Sequence, residues 1–266
     1  MLQASPGYRS DDLDCPNLLL HDMVRRPVWL DVPVATVTLE RGQILIEEGQ
    51  VPSSVVFPEG ALLADIAHMS DGRSVEVAAV GRDGAANLLC ALSNQPASYQ
   101  LTVKVGGPAR VVKAASVRDA AQRDPALLSM VLSCIQRLAS ESQQSVACSL
   151  VHDATQRLAR ELLLTRRRTA SDLLPLTQED FATTLGVQRT TLNASALQLK
   201  ADGAIRYSRG RLRVLNPEKL ADRACECHTR FTGSETRPMP SPAALNFRSN
   251  PARSAPALSV VNSSER

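Results

Sequence analysis

The spacing of apolar residues changes at Pro125, and no other feature constrains the fold of this chain as much. Before that point the apolar residues come in short or alternating runs: Val34 to Leu39, Gln43 to Ile46, Ser54 to Phe57, Ala61 to His68, Ser74 to Val80, Tyr99 to Val105 and Ala109 to Val112. Turn residues stand between them, among them Arg41-Gly42, Glu48-Gly49, Pro58-Glu59-Gly60 and Asp83-Gly84. Strand-like runs at such intervals predict an antiparallel sandwich or roll. Ser70-Asp71-Gly72-Arg73 reads as a hairpin turn, because Asp-Gly tolerates positive φ angles. After Pro125, Leu128, Val131, Leu132, Ile135, Leu138, Ala139 and Ser142 recur at three and four residues, which predicts a long helix with no evident cap. Its stripe fades into small residues. A second chain can approach along Leu128, Val131, Ile135, Leu138, Ser142 and Ser145, or the same stripe covers the sheet of its own chain. The predicted fold class is α+β.

Composition excludes several classes. Hydrophobic residues are 44% and charged residues 21%, as in folded proteins rather than disordered ones. Aromatic residues are 3%, so the cores are aliphatic and base-stacking platforms are not expected. Met1 to Asp14 is polar and acidic with no apolar run, and no stretch approaches a membrane span, so a cytoplasmic chain without membrane contact is expected. Six cysteines in such a chain read as thiols rather than as a disulfide frame. No Walker-type glycine loop, Gly-x-Ser-x-Gly elbow or His-Glu-x-x-His is present, so no enzyme is expected.

Charge is unevenly placed. Residues 1–154 carry 12 Lys/Arg against 17 Asp/Glu, whereas residues 155–215 carry 11 against 5. The basic segment suits contact with a polyanion; two unevenly solvated domains would give the same arithmetic. Within it, Asp153 can cap a helix from Ala154 to about Arg168 that ends on Arg166-Arg167-Arg168, cations that suit a helix terminus and can also touch phosphates. Thr177 then caps a helix with Asp180 at the capping-box position, and is also expected among the DNA-contacting residues. Phe181, Leu185, Val187 and Leu192 fall on the apolar positions of a helix-turn-helix, Ala182 is small at the crossing, and Gly186 fills the turn. Ser195 stands where an apolar residue would pack better. The second helix, about Gln188 to Ala201, would present Gln188, Arg189, Thr190, Thr191 and Asn193 to bases, where Arg reads guanine and Asn or Gln reads adenine. Ile205 to Leu215 alternates around Ser208-Arg209-Gly210 as a hairpin wing, with Arg206, Arg209, Arg211 and Arg213 suited to phosphates.

Several of these segments carry a resemblance. Arg157-Leu158-Ala159-Arg160, Pro175-Leu176-Thr177-Gln178-Glu179, Leu185-Gly186-Val187, Ile205-Arg206-Tyr207-Ser208-Arg209-Gly210 and Ala224-Cys225-Glu226-Cys227 look like the C-terminal half of the bacterial cyclic-AMP receptor and fumarate–nitrate regulator (Crp/Fnr) family. Asp71-Gly72-Arg73-Ser74-Val75-Glu76-Val77 and Val80-Gly81-Arg82-Asp83-Gly84 resemble the sensor roll of one branch. The resemblance implies a cyclic-nucleotide-binding-like β-roll over 15–124, a dimerisation helix over 125–152 and a winged helix-turn-helix over 153–232; residues 233–266, rich in Pro, Ser, Asn and Arg with few large apolar side chains, read as a flexible tail. It also implies a homodimer on double-stranded DNA with a palindromic operator, a hinge at Asp153, and RNA polymerase as a candidate partner.

The nucleotide cassette departs from the family. Members that bind cyclic nucleotides hold the phosphate and ribose with a Gly-Glu pair and an Arg-Ser/Thr pair. Here Gly84-Ala85-Ala86-Asn87-Leu88 lacks the Glu, and Asn94 to Val103 lacks any Arg. A buried phosphate without a cation is poorly compensated, so cyclic AMP is not expected. The roll is then a scaffold, or it takes another small molecule or a redox signal. Only Cys15 lies near the N-terminus, which excludes a four-cysteine iron–sulfur site there, and His21, His68 and His152 stand alone in sequence. Cys225-Glu226-Cys227-His228 is too tightly spaced for a usual zinc site and reads as the exposed end of a terminal helix. Neither cofactor nor metal is expected. A scaffold subunit that does not touch DNA is the competing class, and the basic wing argues against it.

Overall fold

The computed structural model describes residues 15–208 and 210–230; Arg209 and the tail expected over 233–266 lie outside the described residues. Helix α1 (Leu18–Met23) precedes strands β1 (Ala35–Leu39), β2 (Ile44–Ile46), β3 (Ser54–Pro58), β4 (Leu62–His68) and β5 (Ser74–Val80). After helix α2 (Leu88–Ser93) come β6 (Gln100–Val105) and β7 (Gly107–Lys113). They form two antiparallel sheets, β1-β7-β3 and β2-β6-β4-β5. Strand alternation sends Val37, Leu39, Val56, Leu63, Leu101 and Val103 into one aliphatic core. The β4–β5 hairpin turns at Gly72, whose φ is +85°, while the Asp71 carboxylate accepts from the Arg73 amide at 3.1 Å.

Helix α3 (Ala114–Arg123) lies outside the sequence expectation. It buries Ala114, Val117, Ala120 and Ala121, a face of small residues that gives little apolar periodicity. Helix α4 (Pro125–Val151) follows, and contrary to expectation it has a cap. The Asp124 carboxylate accepts from the amides of Ala126 and Leu127 at 3.0 and 3.3 Å and holds Arg26 at 2.7 Å.

The first half of α4 lies against its own roll, in one cluster with Leu20, Met23, Phe57 and Val117. This corrects one seam assignment: Val131 is fully buried in that cluster, and Ile135 and Leu138 pack against it. Leu128 and Ser142 are half-buried, and the Ser145 hydroxyl donates to the Glu141 carbonyl and accepts from Arg160. The large apolar side chains that remain open on α4 are Leu132, Val146, Leu150 and Val151.

The third core combines helix α5 (Ala154–Thr169), strand β8 (Leu173–Leu174), helices α6 (Gln178–Leu185) and α7 (Arg189–Ala201), strands β9 (Ile205–Ser208) and β10 (Arg211–Val214) and helix α8 (Pro217–Arg223). Leu62, Ala79 and Val105 of the roll belong to the same core, so the winged helix packs directly on the four-stranded sheet. Lys104 of β6 pairs with Glu76 at 2.7 Å, donates to the Thr184 hydroxyl at 2.8 Å and lies 5.7 Å from the Phe181 ring centre.

Two of the three arginines of the triplet, Arg167 and Arg168, are engaged inside the protein, while Arg166 forms a surface pair. Arg166 pairs with Asp172 at 2.5 Å, Arg167 with Asp83 and Glu141 at 3.3 Å, and Arg168 with Glu141 at 2.5 Å. Gly81 permits this seam, since a Cβ there would collide with the Arg168 Cβ and backbone.

Asp65 on β4 carries a cost. Burial, with Glu76 adding to it, pushes its carboxyl up to about 6 from an ordinary 3.8. A raised carboxyl binds more protons folded than unfolded, so stability falls as pH rises through this window. Asp65→Asn is expected to flatten that dependence and to gain about 2 kcal/mol at neutral pH, read from urea denaturation at pH 4.5 and 7.5. Parallel pH profiles for the two proteins would refute it.

Candidate nucleic-acid interface

The helix pair α6–α7 is built by local rules that the sequence carries openly. Thr177 and Asp180 form a reciprocal capping box, the Thr177 hydroxyl accepting from the Asp180 amide at 3.2 Å and the Thr177 amide donating to the carboxylate at 2.6 Å. Thr177 is thus occupied as a cap, and its hydroxyl also donates to Asp180 at 2.8 Å. Gly186 ends α6 at φ +62°, and its amide and that of Val187 return to carbonyls of the last turn. Arg157 of α5 donates to the Leu185 carbonyl, fixing the same end. Phe181, Leu185, Leu192 and Leu199 form the shared core. Ser195 is buried without penalty because its hydroxyl donates to the Thr191 carbonyl at 3.1 Å.

That packing leaves one face of α7 open. Gln188 is its N-cap residue, and Gln188, Arg189, Thr190, Thr191 and Asn193 are all exposed. Arg189 stands 3.8 Å from Glu179 with both side chains largely in solvent, a pairing too weak to hold it back from a ligand. Asn193 accepts from the Gln178 amide at 3.2 Å. In the wing, β9 and β10 pair so that Arg206 stands directly opposite Arg213, and both are exposed with Arg211. Like charges facing each other across a strand pair are unfavourable unless a polyanion joins them. Gly210 takes φ +77° in the turn, and Arg209 beside it lies outside the described residues. Asp153, the expected hinge, caps α5 through the amides of Thr155 and Gln156 at 2.8 and 2.9 Å.

Residues 156–223 match the Crp-like helix-turn-helix domain family. This part of the chain is a Crp-like helix-turn-helix domain. Solved structures share its fold. FixK2 from Bradyrhizobium japonicum is 16% identical, over 72% of this chain and 98% of its own, with a TM-score of 0.61. TTHB099, a CRP-family transcriptional regulator from Thermus thermophilus, is 17% identical over 71% and 96% at 0.59. The c-di-GMP responsive global regulator CLP from Xanthomonas campestris is 12% identical over 68% and 93% at 0.53. No curated protein matches the sequence. Among the described residues no helix is long and apolar enough to cross a membrane.

Proposed function

We propose that this protein binds a palindromic operator as a homodimer, reading bases with α7 and holding phosphates with the wing. The observation that carries the reading is the open row Gln188, Arg189, Thr190, Thr191 and Asn193 at the start of α7, beside the exposed arginines of β9 and β10. Two-fold pairing is supported by α4. Leu132, Gln136, Ala139, Gln143, Val146 and Leu150 alternate at four and three residues, and all six are exposed. This is a heptad seam one residue along from the positions buried against the roll, suited to a second copy of the same helix.

The roll is proposed not to take cyclic AMP. At the cassette, Ala85, Ala86 and Leu88 are buried in apolar cores, leaving no carboxylate for a ribose. Arg110, which stands opposite Phe57 across the β3–β7 pair, is engaged with Glu59 at 3.0 Å. The c-di-GMP responsive regulator named above shares the fold, and a fold alone does not assign a ligand.

Selection of genomic DNA by the purified full-length protein at fixed salt is expected to return a two-fold-symmetric motif without added ligand. Arg189→Ala is then expected to relax preference at one base pair of each half-site, at about 1–3 kcal/mol per contact. Equal weakening on every sequence would overturn the base-reading role.

A further inference from the structure

The C-terminal end of α4 meets the segment after α8, and four metal-ligating side chains converge there. Cys148 and His152 lie one helical turn apart, while Cys225 and Cys227 arrive from the turn that follows α8. The Cys148 and Cys225 Sγ atoms are 3.9 Å apart, Cys227 Sγ is 3.5 Å from His152 Nε2, and all four ligand atoms lie within 4.8 Å of one another. Zinc–sulfur bonds of about 2.3 Å and zinc–nitrogen bonds of about 2.0–2.1 Å give a tetrahedron with edges of about 3.8 and 3.5 Å. Cys148 and Cys225 are each 1% exposed, and His152 and Cys227 are half-buried. A single buried cysteine is an ordinary small apolar residue; three thiols and an imidazole gathered at one point are not. Outer hydrogen bonds are in place as well. The buried Gln144 amide donates to Cys148 Sγ at 3.5 Å and to Cys227 Sγ at 3.2 Å, and Arg230 holds the Gln144 carbonyl oxygen.

We propose that Cys148, His152, Cys225 and Cys227 bind one zinc ion. The donors are soft, number four and close the tetrahedron, which is the arrangement of a structural rather than a catalytic zinc. They lie too close together to admit the inorganic sulfides of an iron–sulfur cluster. On binding, the three thiols release their protons to solvent and the imidazole binds as the neutral ring. The site departs from the expectation of no metal and from the reading of Cys225 to His228 as an exposed helix end. The Cys-x-Cys spacing looks unpromising because the other two ligands stand on a different helix, 77 residues before Cys225 in the case of Cys148.

The test uses the untagged full-length chain expressed with added zinc. One zinc per chain is expected by elemental analysis, and cobalt substitution should give thiolate-to-metal absorption. Gln144→Ala, which removes only the outer hydrogen bonds, should weaken zinc about 10–100-fold in competition with a chromophoric chelator. Cys227→Ser should weaken it more, and Cys90→Ser not at all. His152→Cys should retain the metal, which separates a lost ligand from a lost fold. Sub-stoichiometric zinc in the folded wild type would overturn the proposal. So would unchanged zinc in Cys227→Ser, or a Cys148–Cys225 disulfide in protein purified without reductant.

Discussion

Replacing Glu141 by alanine is expected to destabilise the protein by about 3–5 kcal/mol, the largest loss of any single substitution proposed for this chain. The Glu141 carboxylate is 4% exposed and takes Arg168 at 2.5 Å, Arg137 at 2.9 Å and Arg167 at 3.3 Å. Asp83 is the other acid of the group, 3.1 Å from Arg137 and 3.3 Å from Arg167. Burial alone would raise the Asp83 carboxyl, but Arg137, Arg168 and Arg167 outweigh it and hold the carboxyl below its ordinary value. Removing Glu141 leaves three guanidinium groups facing one carboxylate in a largely dry site. Breaking a buried ionic group costs far more than forming it contributes, because a charge is stranded. Chemical denaturation gives the number. A loss below about 1 kcal/mol would mean that the arginines swing out to water, as surface pairs do.

The second large effect concerns assembly. Val146→Asp combined with Leu150→Asp is expected to leave a folded monomer, because both side chains are exposed, at 64% and 81%. Apparent affinity for a full palindrome should fall about 10²–10⁴-fold, since two linked half-site contacts become independent. Affinity for an isolated half-site should stay as in the wild type. Sedimentation velocity and paired titrations on full and half sites read both. A double variant that remains dimeric would move the interface elsewhere on the surface.

What the sequence makes legible follows from how local each signal is. The seven strands of the roll, the capping box at Thr177, the Gly186 turn and the wing are set by residues within one or two turns of each other, and they stand where periodicity and turn chemistry place them. Helix α3 is hidden because alanines pack it against the roll, and alanine barely registers as apolar contrast. The exposed face of α4 lies one residue, about 100° of helix, from the stripe that periodicity picks out. Leucine and valine stand on two faces of that helix, and periodicity alone does not say which face the roll has already taken. Val131 belongs to the roll and Leu132 faces out. The arginine triplet is ambiguous for a related reason. Its partners Asp83 and Glu141 lie 84 and 26 residues from Arg167, and no window along the chain joins them. The cysteine–histidine group is the extreme case, assembled entirely by tertiary structure.

The contact at Gly81 has a consequence for measurement of distance on DNA. Helix α5 is gripped at both ends. Asp153 fixes its start directly after α4, and at its finish the Arg168 carbonyl accepts from the Arg82 amide at 3.0 Å. Arg41 adds a third hold, reaching from the roll to Asp180 at 2.7 Å at the head of α6. A rod held in this way moves with its mounts. In the dimer proposed above, the separation of the two reading helices is set by the end of strand β5 and the loop at Arg41. In that proposal the roll is the ruler against which half-site spacing is cut, and the bases are only asked whether they fit.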